Sequence, residues 1–230
     1  MYRQIFWLLV VGVVLLISNA HAQPVGSALL EGKGSATAVI LAHGIGAGPD
    51  AKVVGPLRRA INQELGFTTL SLQMPVLATK DFKAYAPVFL DAHKTIQAAI
   101  DFLVKEEAVK RIYLIGYSMG ARMTSSFLAA ESTVPQVVVG FIGIGLLEGG
   151  GEPLDANLNV RHLHLPILDV YADRSPLDLK SAENRKSLVS DSYKQVRIAG
   201  ADHSFVGYDL QMAQAIIDWL KEQEELAKVQ

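Results

Sequence analysis

The sequence predicts an α/β fold, a doubly wound, mostly parallel sheet of about six to seven strands with helices on both faces. Three observations predict it. Short continuous apolar runs recur along the chain, as expected of strands covered on both faces. Segments of helical period separate those runs. One run leads through Gly116-Tyr117-Ser118-Met119-Gly120 into a helical stretch, a strand-to-helix turn with a serine at its apex.

The predicted strands are, in order, 36–41, 68–72, 111–115, 137–144, 167–171 and 193–198, the last alternating rather than continuous. A helix over 53–65 carries Val54, Leu57, Ile61 and Leu65 on one side. Phe89, His93, Ile96, Ile100 and Leu103 repeat at helical spacing in the next. Further helices are expected over 121–130, over 181–189, and from Asp209 past Trp219, with Leu210, Ala213, Ile217 and Leu220 on one face. Residues 26–35 read as a Gly- and Ser-containing lead-in. No repeat or interdomain linker interrupts the pattern.

Residues 1–22 read as a leader rather than as fold. Arg3 supplies a positive start, 5–17 is apolar, and Ala20-His21-Ala22 resembles a cleavage site. The run is short for a membrane span, which needs about 20 apolar residues. The expectation is a cleaved signal peptide and a periplasmic or secreted domain, 23–230, without stable membrane insertion; an uncleaved anchor is the alternative. The chain has 21 Lys and Arg against 23 Asp and Glu, net −2, and no basic run, which argues against nucleic acid as a partner. With no cysteine, disulfides, thiolate catalysis and cysteine-held zinc are excluded.

A serine forced onto a tight turn has an exposed hydroxyl, and the turn admits only small residues two positions either side. Gly116 and Gly120 meet that need. A serine hydroxyl attacks an acyl carbon only when a base takes its proton and a third group orients the base. Past the predicted strand ends stand an acid, Asp173, and a histidine, His203 in Gly200-Ala201-Asp202-His203-Ser204-Phe205. Open α/β sheets place their functional groups beyond such carboxyl ends. Asp178 is the rival acid; it follows Ser175-Pro176, so it is expected to cap or begin the next segment. Asp202 is read as fixing its loop. A developing oxyanion needs two N–H donors, expected from Met119 and from Ile45 in His43-Gly44-Ile45-Gly46.

These motifs together resemble the α/β-hydrolase superfamily: HGIG after the first core strand, GYSMG, the strand-end Asp173 and GADHSF. Size and spacing are similar to the small members without a large cap domain, such as dienelactone hydrolases and short carboxylesterases. The phrases LAHGIGAGPD, LSLQMPVLA, PILDVYAD and GADHSF resemble a branch of small exported bacterial hydrolases. The chain departs from the dienelactone hydrolases in having Ser118 where they use cysteine, and it lacks HGGG. The resemblance implies a serine hydrolase of carboxylic esters or thioesters that takes a small-molecule acyl substrate and needs no cofactor. An acyltransferase, or a binding protein with an idle triad, would share the same residues.

Other candidates carry less. His162-Leu163-His164 has metal-like spacing but no third ligand in view. His93 falls on the apolar stripe of its helix and is expected to pack. Gly143, Gly145 and 149–151 match no phosphate-loop pattern and read as a flexible loop. The 146–166 segment is too short for a cap. Met74, Phe82 and Tyr85 are candidate pocket walls or core.

Overall fold

The computed structural model describes residues 22–130 and 135–229. The expected leader therefore lies, but for Ala22, outside the described residues. Among the described residues seven strands form one sheet: β1 (Ala28–Leu30), β2 (Thr37–Ala42), β3 (Thr68–Leu72), β4 (Arg111–Tyr117), β5 (Val138–Ile144), β6 (Ile167–Ala172) and β7 (Tyr193–Ile198). Their spatial order is β1-β3-β2-β4-β5-β6-β7, and only β1 runs antiparallel to its neighbour. β1 corrects the reading of 26–35 as a plain lead-in. Its three residues are too few to show a period, and it adds to the sheet by pairing Leu29 with Leu70.

The continuous apolar runs are explained by burial on both faces. In β2, Ala38, Ile40 and Ala42 face one core, while Val39 and Leu41 face the other. β4 splits likewise, with Ile112 and Leu114 opposite Tyr113 and Ile115. The first core receives Ile96 and Ile100 of α2 (Phe89–Lys105), Met123 and Phe127 of α3 (Met119–Ala130), and Val160 of the short α4 (Ala156–Val160). The second receives Leu57 and Ile61 of α1 (Val54–Leu65) and Ile216 and Leu220 of α6 (Asp209–Ala227).

α5 (Pro176–Arg185) begins five residues before the helix expected at 181. Local capping explains the earlier start. The Ser175 side chain accepts from the Asp178 N–H at 3.3 Å, and Pro176 occupies the first turn, where its missing N–H costs nothing. Asp178 is thus a first-turn residue rather than the cap.

Strand order reverses between β2 and β4: the chain builds outward through β3 on one side and through β5, β6 and β7 on the other. Register aligns Ala42 with Gly116 and Gly116 with Gly143, so the loops after β2, β4 and β5 leave the sheet at one edge. A crevice at such a reversal, outside the strand ends, is where open α/β sheets bind ligands.

Candidate active site

Ser118 sits between β4 and α3 with φ 53°, a left-handed conformation uncommon for a non-glycine residue. Its neighbours explain how the turn closes. A Cβ on Gly120 would lie 2.6 Å from the His43 carbonyl oxygen, and one on Gly116 would lie 2.6 Å from the Ala121 nitrogen. The two glycines therefore let α3 start directly against β2 and β4. The Ser118 N–H is anchored to the Ile144 carbonyl at 2.9 Å.

His203 follows β7 and reaches Ser118, its Nε2 lying 2.9 Å from Oγ. Its Nδ1 is 2.7 Å from Asp178 Oδ1. The Asp178 carboxylate is fully buried, and it also accepts from Ser175 Oγ at 2.8 Å. Tyr117 stacks on the imidazole at 5.8 Å between ring centres and donates its hydroxyl to the His203 carbonyl at 3.0 Å. Burial, then the negative charges of Asp178 and Asp202, push the Tyr117 phenol up to about 12, so it stays a donor at neutral pH. On the other side, a Cβ at Gly145, where φ is 60°, would lie 2.8 Å from His203 Cε1. Gly145 is a fixed element of the site rather than part of a loose loop.

The expected acid, Asp173, is not at the imidazole. Its Oδ1 accepts from the Gly200 N–H at 2.7 Å, and its Oδ2 lies 3.8 Å from Arg197. Proximity to a strand end was the wrong criterion. The loop 173–175 carries Asp173 toward the turn after β7, and the first turn of α5 brings Asp178 back under His203. Asp202 accepts from Ser204 N–H and Oγ–H at 2.9 and 2.6 Å and fixes its loop.

The 43–46 segment is held by the His43 ring. Nε2 accepts from the Met74 N–H at 3.1 Å, and Nδ1, 2.8 Å from the Gly44 carbonyl, carries the ring proton. Burial lowers the His43 pKa, against the raising effect of that carbonyl bond, and keeps the ring neutral. Ile45 and Met119 line the same cavity as Ser118. Met119 is the first residue of α3, so its N–H has no partner within the helix.

That cavity, about 400 Å³, is bounded by Ile45, Phe82, Met119, Leu147 and Leu177, with Lys80, Arg122, Glu148 and Lys180 among its polar walls. A second, about 330 Å³, lies on the imidazole side, bounded by Gly44, Val53, Tyr117, His203 and Val206. Ser118 and Ile45 border both. Phe82 is a wall, whereas Met74 and Tyr85 are buried in the core. The glycine-rich segment 149–151 is held by hydrogen bonds at Gly149 and Gly151. Arg122 donates to the Glu148 carbonyl at 3.0 Å, to that of Gly149 at 2.9 Å, and to that of Leu154. Sequence reasoning missed Arg122, although a lone charge inside the small and apolar α3 was a readable signal. His93 packs edge-on against Phe127 and bonds Ser126 Oγ at 3.1 Å. His162 and His164 are exposed after α4.

Residues 35–215 match the model of an alpha/beta hydrolase domain. The chain belongs to that family. Among solved structures it is similar to an alpha-beta serine hydrolase homologue from Coxiella burnetii, at 19% identity and TM-score 0.67, covering 86% of this chain and 94% of that one. A dienelactone hydrolase from Anabaena variabilis matches at 20% identity and TM-score 0.66, covering 85% and 90%. A serine hydrolase without lid from Xanthomonas campestris matches at 18% and 0.65, covering 85% and 88%. At these identities the likeness establishes the fold. No curated protein matches the chain in sequence.

Proposed function

We propose that this protein is a serine hydrolase of carboxylic esters or thioesters, with Ser118 as nucleophile, His203 as base and Asp178 as the acid that orients it. The observation that carries the reading is the unbroken chain from Ser118 Oγ through His203 to a fully buried carboxylate, at 2.9 and 2.7 Å. Asp178 accepts from Nδ1–H and so leaves the Nε2 lone pair facing the serine hydroxyl. Ser118 Oγ attacks the acyl carbon while its proton passes to Nε2. The carbonyl oxygen gains negative charge, for which the N–H groups of Ile45 and Met119 are the assigned donors. Collapse breaks the bond to the leaving oxygen or sulfur, which takes the proton from Nε2. Water, deprotonated by the same nitrogen, then releases the acid and restores Ser118.

Arg3, the apolar run over 5–17 and Ala20-His21-Ala22 support export with removal of 1–22. The test of the chemistry is covalent labelling. A fluorophosphonate should add one mass increment to the wild type and none to Ser118→Ala, and aryl-ester turnover should fall by about three orders of magnitude or more in that variant. Equal labelling of both proteins would place the reactive serine elsewhere.

A further inference from the structure

The two cavities that meet at Ser118 differ in chemistry, and the roles of the site residues orient a substrate between them. The group that leaves must take its proton from His203 Nε2, so it has to lie on the imidazole side. His203, Tyr117 and Ser204 border the 330 Å³ cavity, whose lining includes a single lysine, the exposed Lys52. The acyl chain then points the other way, into the 400 Å³ cavity bordered by Met119 and Arg122. Both volumes fall in the ordinary range of small-molecule sites.

The apolar lining of the acyl side includes Ile45, Met119 and Leu177. The polar walls of the same cavity carry three cations, Lys80, Arg122 and Lys180, against one anion, Glu148. Glu148 is already engaged, by Lys180 at 2.9 Å and by Asn184 at 2.7 Å. Arg122 is 4% exposed, yet among the described residues its guanidinium meets only carbonyl oxygens and the face of Phe82, 4.7 Å from the ring centre. The carboxylate that influences it, Asp155, spends its oxygens on the N–H groups of Gly149, Asn157 and Leu158. Burial draws Arg122 down to about 10, which leaves it charged at neutral pH. Buried charges in proteins are ordinarily paired with opposite charge. Among the described residues, Arg122 is a buried cation without a carboxylate in contact, on a cavity lined also by an exposed lysine, Lys80.

We propose that Ser118 divides the cleft into a leaving-group subsite on the His203 side and an acyl subsite on the Arg122 side. The acyl subsite takes an apolar chain that carries an anion, such as a carboxylate. Lys80 and Arg122 are its specificity-determining cations. This assignment rests on the serine-hydrolase reading above.

The test uses the full domain and matched esters of one length: 4-nitrophenyl hexanoate against mono-4-nitrophenyl adipate. Each rate is divided by the ester's uncatalysed hydrolysis. The kcat/KM ratio, anionic over neutral, should be about tenfold or more, the size of one charge-assisted contact. It should shrink as salt is raised. Lys80→Glu, an exposed substitution, should bring the ratio to one or below. The hexanoate ester of 4-hydroxybenzoate, with the carboxylate on the leaving side, should show no comparable gain over a neutral phenol of similar acidity. A ratio of one or less in an enzyme that turns over hexanoate overturns the proposal and leaves the hydrolase reading standing. A gain from the leaving-side carboxylate alone, or a ratio unmoved by Lys80→Glu, overturns it as well. Failure of both fluorophosphonate labelling and ester turnover would remove the serine-hydrolase reading itself.

Discussion

Asp169 and Asp178 are both fully buried, on either side of the turn from β6 to α5, yet they stand in opposite surroundings. Asp169 is saturated by permanent donors. Arg185 reaches its two oxygens at 3.0 and 2.8 Å, Tyr193 adds a hydroxyl at 3.0 Å, and Gln195 an amide at 2.9 Å. Asp178 instead faces an imidazole that is about a third exposed, at the edge of two cavities. A buried carboxylate is therefore not in itself a sign of catalysis. What separates the two is the partner, a permanent cation at Asp169 and, at Asp178, an imidazole that meets a serine at the edge of a cavity. They are also coupled through α5. Arg185 closes that helix and donates onward to the Leu146 carbonyl at 3.0 Å and to Asn157 Oδ1, which braces the helix whose first turn carries Asp178.

The comparison breaks if Asp178 and Asp169 respond alike to loss of charge. Asp178→Asn should retain the fold and lose at least about a hundredfold in kcat on aryl esters, since a comparable change in a known triad costs ~10⁴. Asp169→Asn and Arg185→Met should act first on stability. Removing one member of a buried ion pair costs about 3–5 kcal/mol, which urea unfolding would register as a lower midpoint. Activity in the folded fraction should fall far less than in Asp178→Asn. If Asp178→Asn remains active, the assignment of the acid is wrong.

Asp173 gives a third, smaller contrast. It is partly exposed and holds a turn through the Gly200 N–H, so Asp173→Asn should cost about 1 kcal/mol and little activity. A hundredfold loss of turnover there, with Asp178→Asn unaffected, would reinstate the sequence-based expectation.

The smallest effect concerns the histidines, which divide as the carboxylates do. His43 has both ring nitrogens committed to backbone groups and burial that lowers its pKa. The unfolded chain takes up a proton at this ring near the ordinary value of ~6.5, and the folded protein does so only at lower pH. Its contribution to stability is therefore complete above that value. It is lost as pH falls from there toward the folded pKa, at up to about 1.4 kcal/mol per pH unit. Urea midpoints from pH 7.5 to 5 should fall more steeply for the wild type than for His43→Asn. Parallel curves would show that the fold does not hold this ring neutral.

Much of the molecule was legible from neighbours in the chain. The six core strands and the turn at Ser118 follow from runs such as 36–41 and from Gly116 and Gly120, because burial on both faces and the sterics of a tight turn act over a few residues. β1 and α4, at three and five residues, are too short to carry a period and depend on the sheet and on α3 for their place. The capping of α5 was half legible. Ser175-Pro176 marks a helix start, but does not say that the first turn so begun aims Asp178 at His203.

The sequence by itself determined the α/β alternation, the family motifs and the positions of Ser118 and His203 at strand ends. These are local properties of hydrophobic period and backbone sterics. Only the tertiary structure decided which aspartate meets the imidazole, that Arg122 straps the glycine-rich segment, and that two unlike cavities meet at the serine. Those outcomes depend on the directions of side chains from elements 25 or more residues apart, His203 with Asp178 and Arg122 with Gly149. Spacing along the chain carries no such directions, because they are set by how α3, α5 and the loop after β7 pack against one sheet edge.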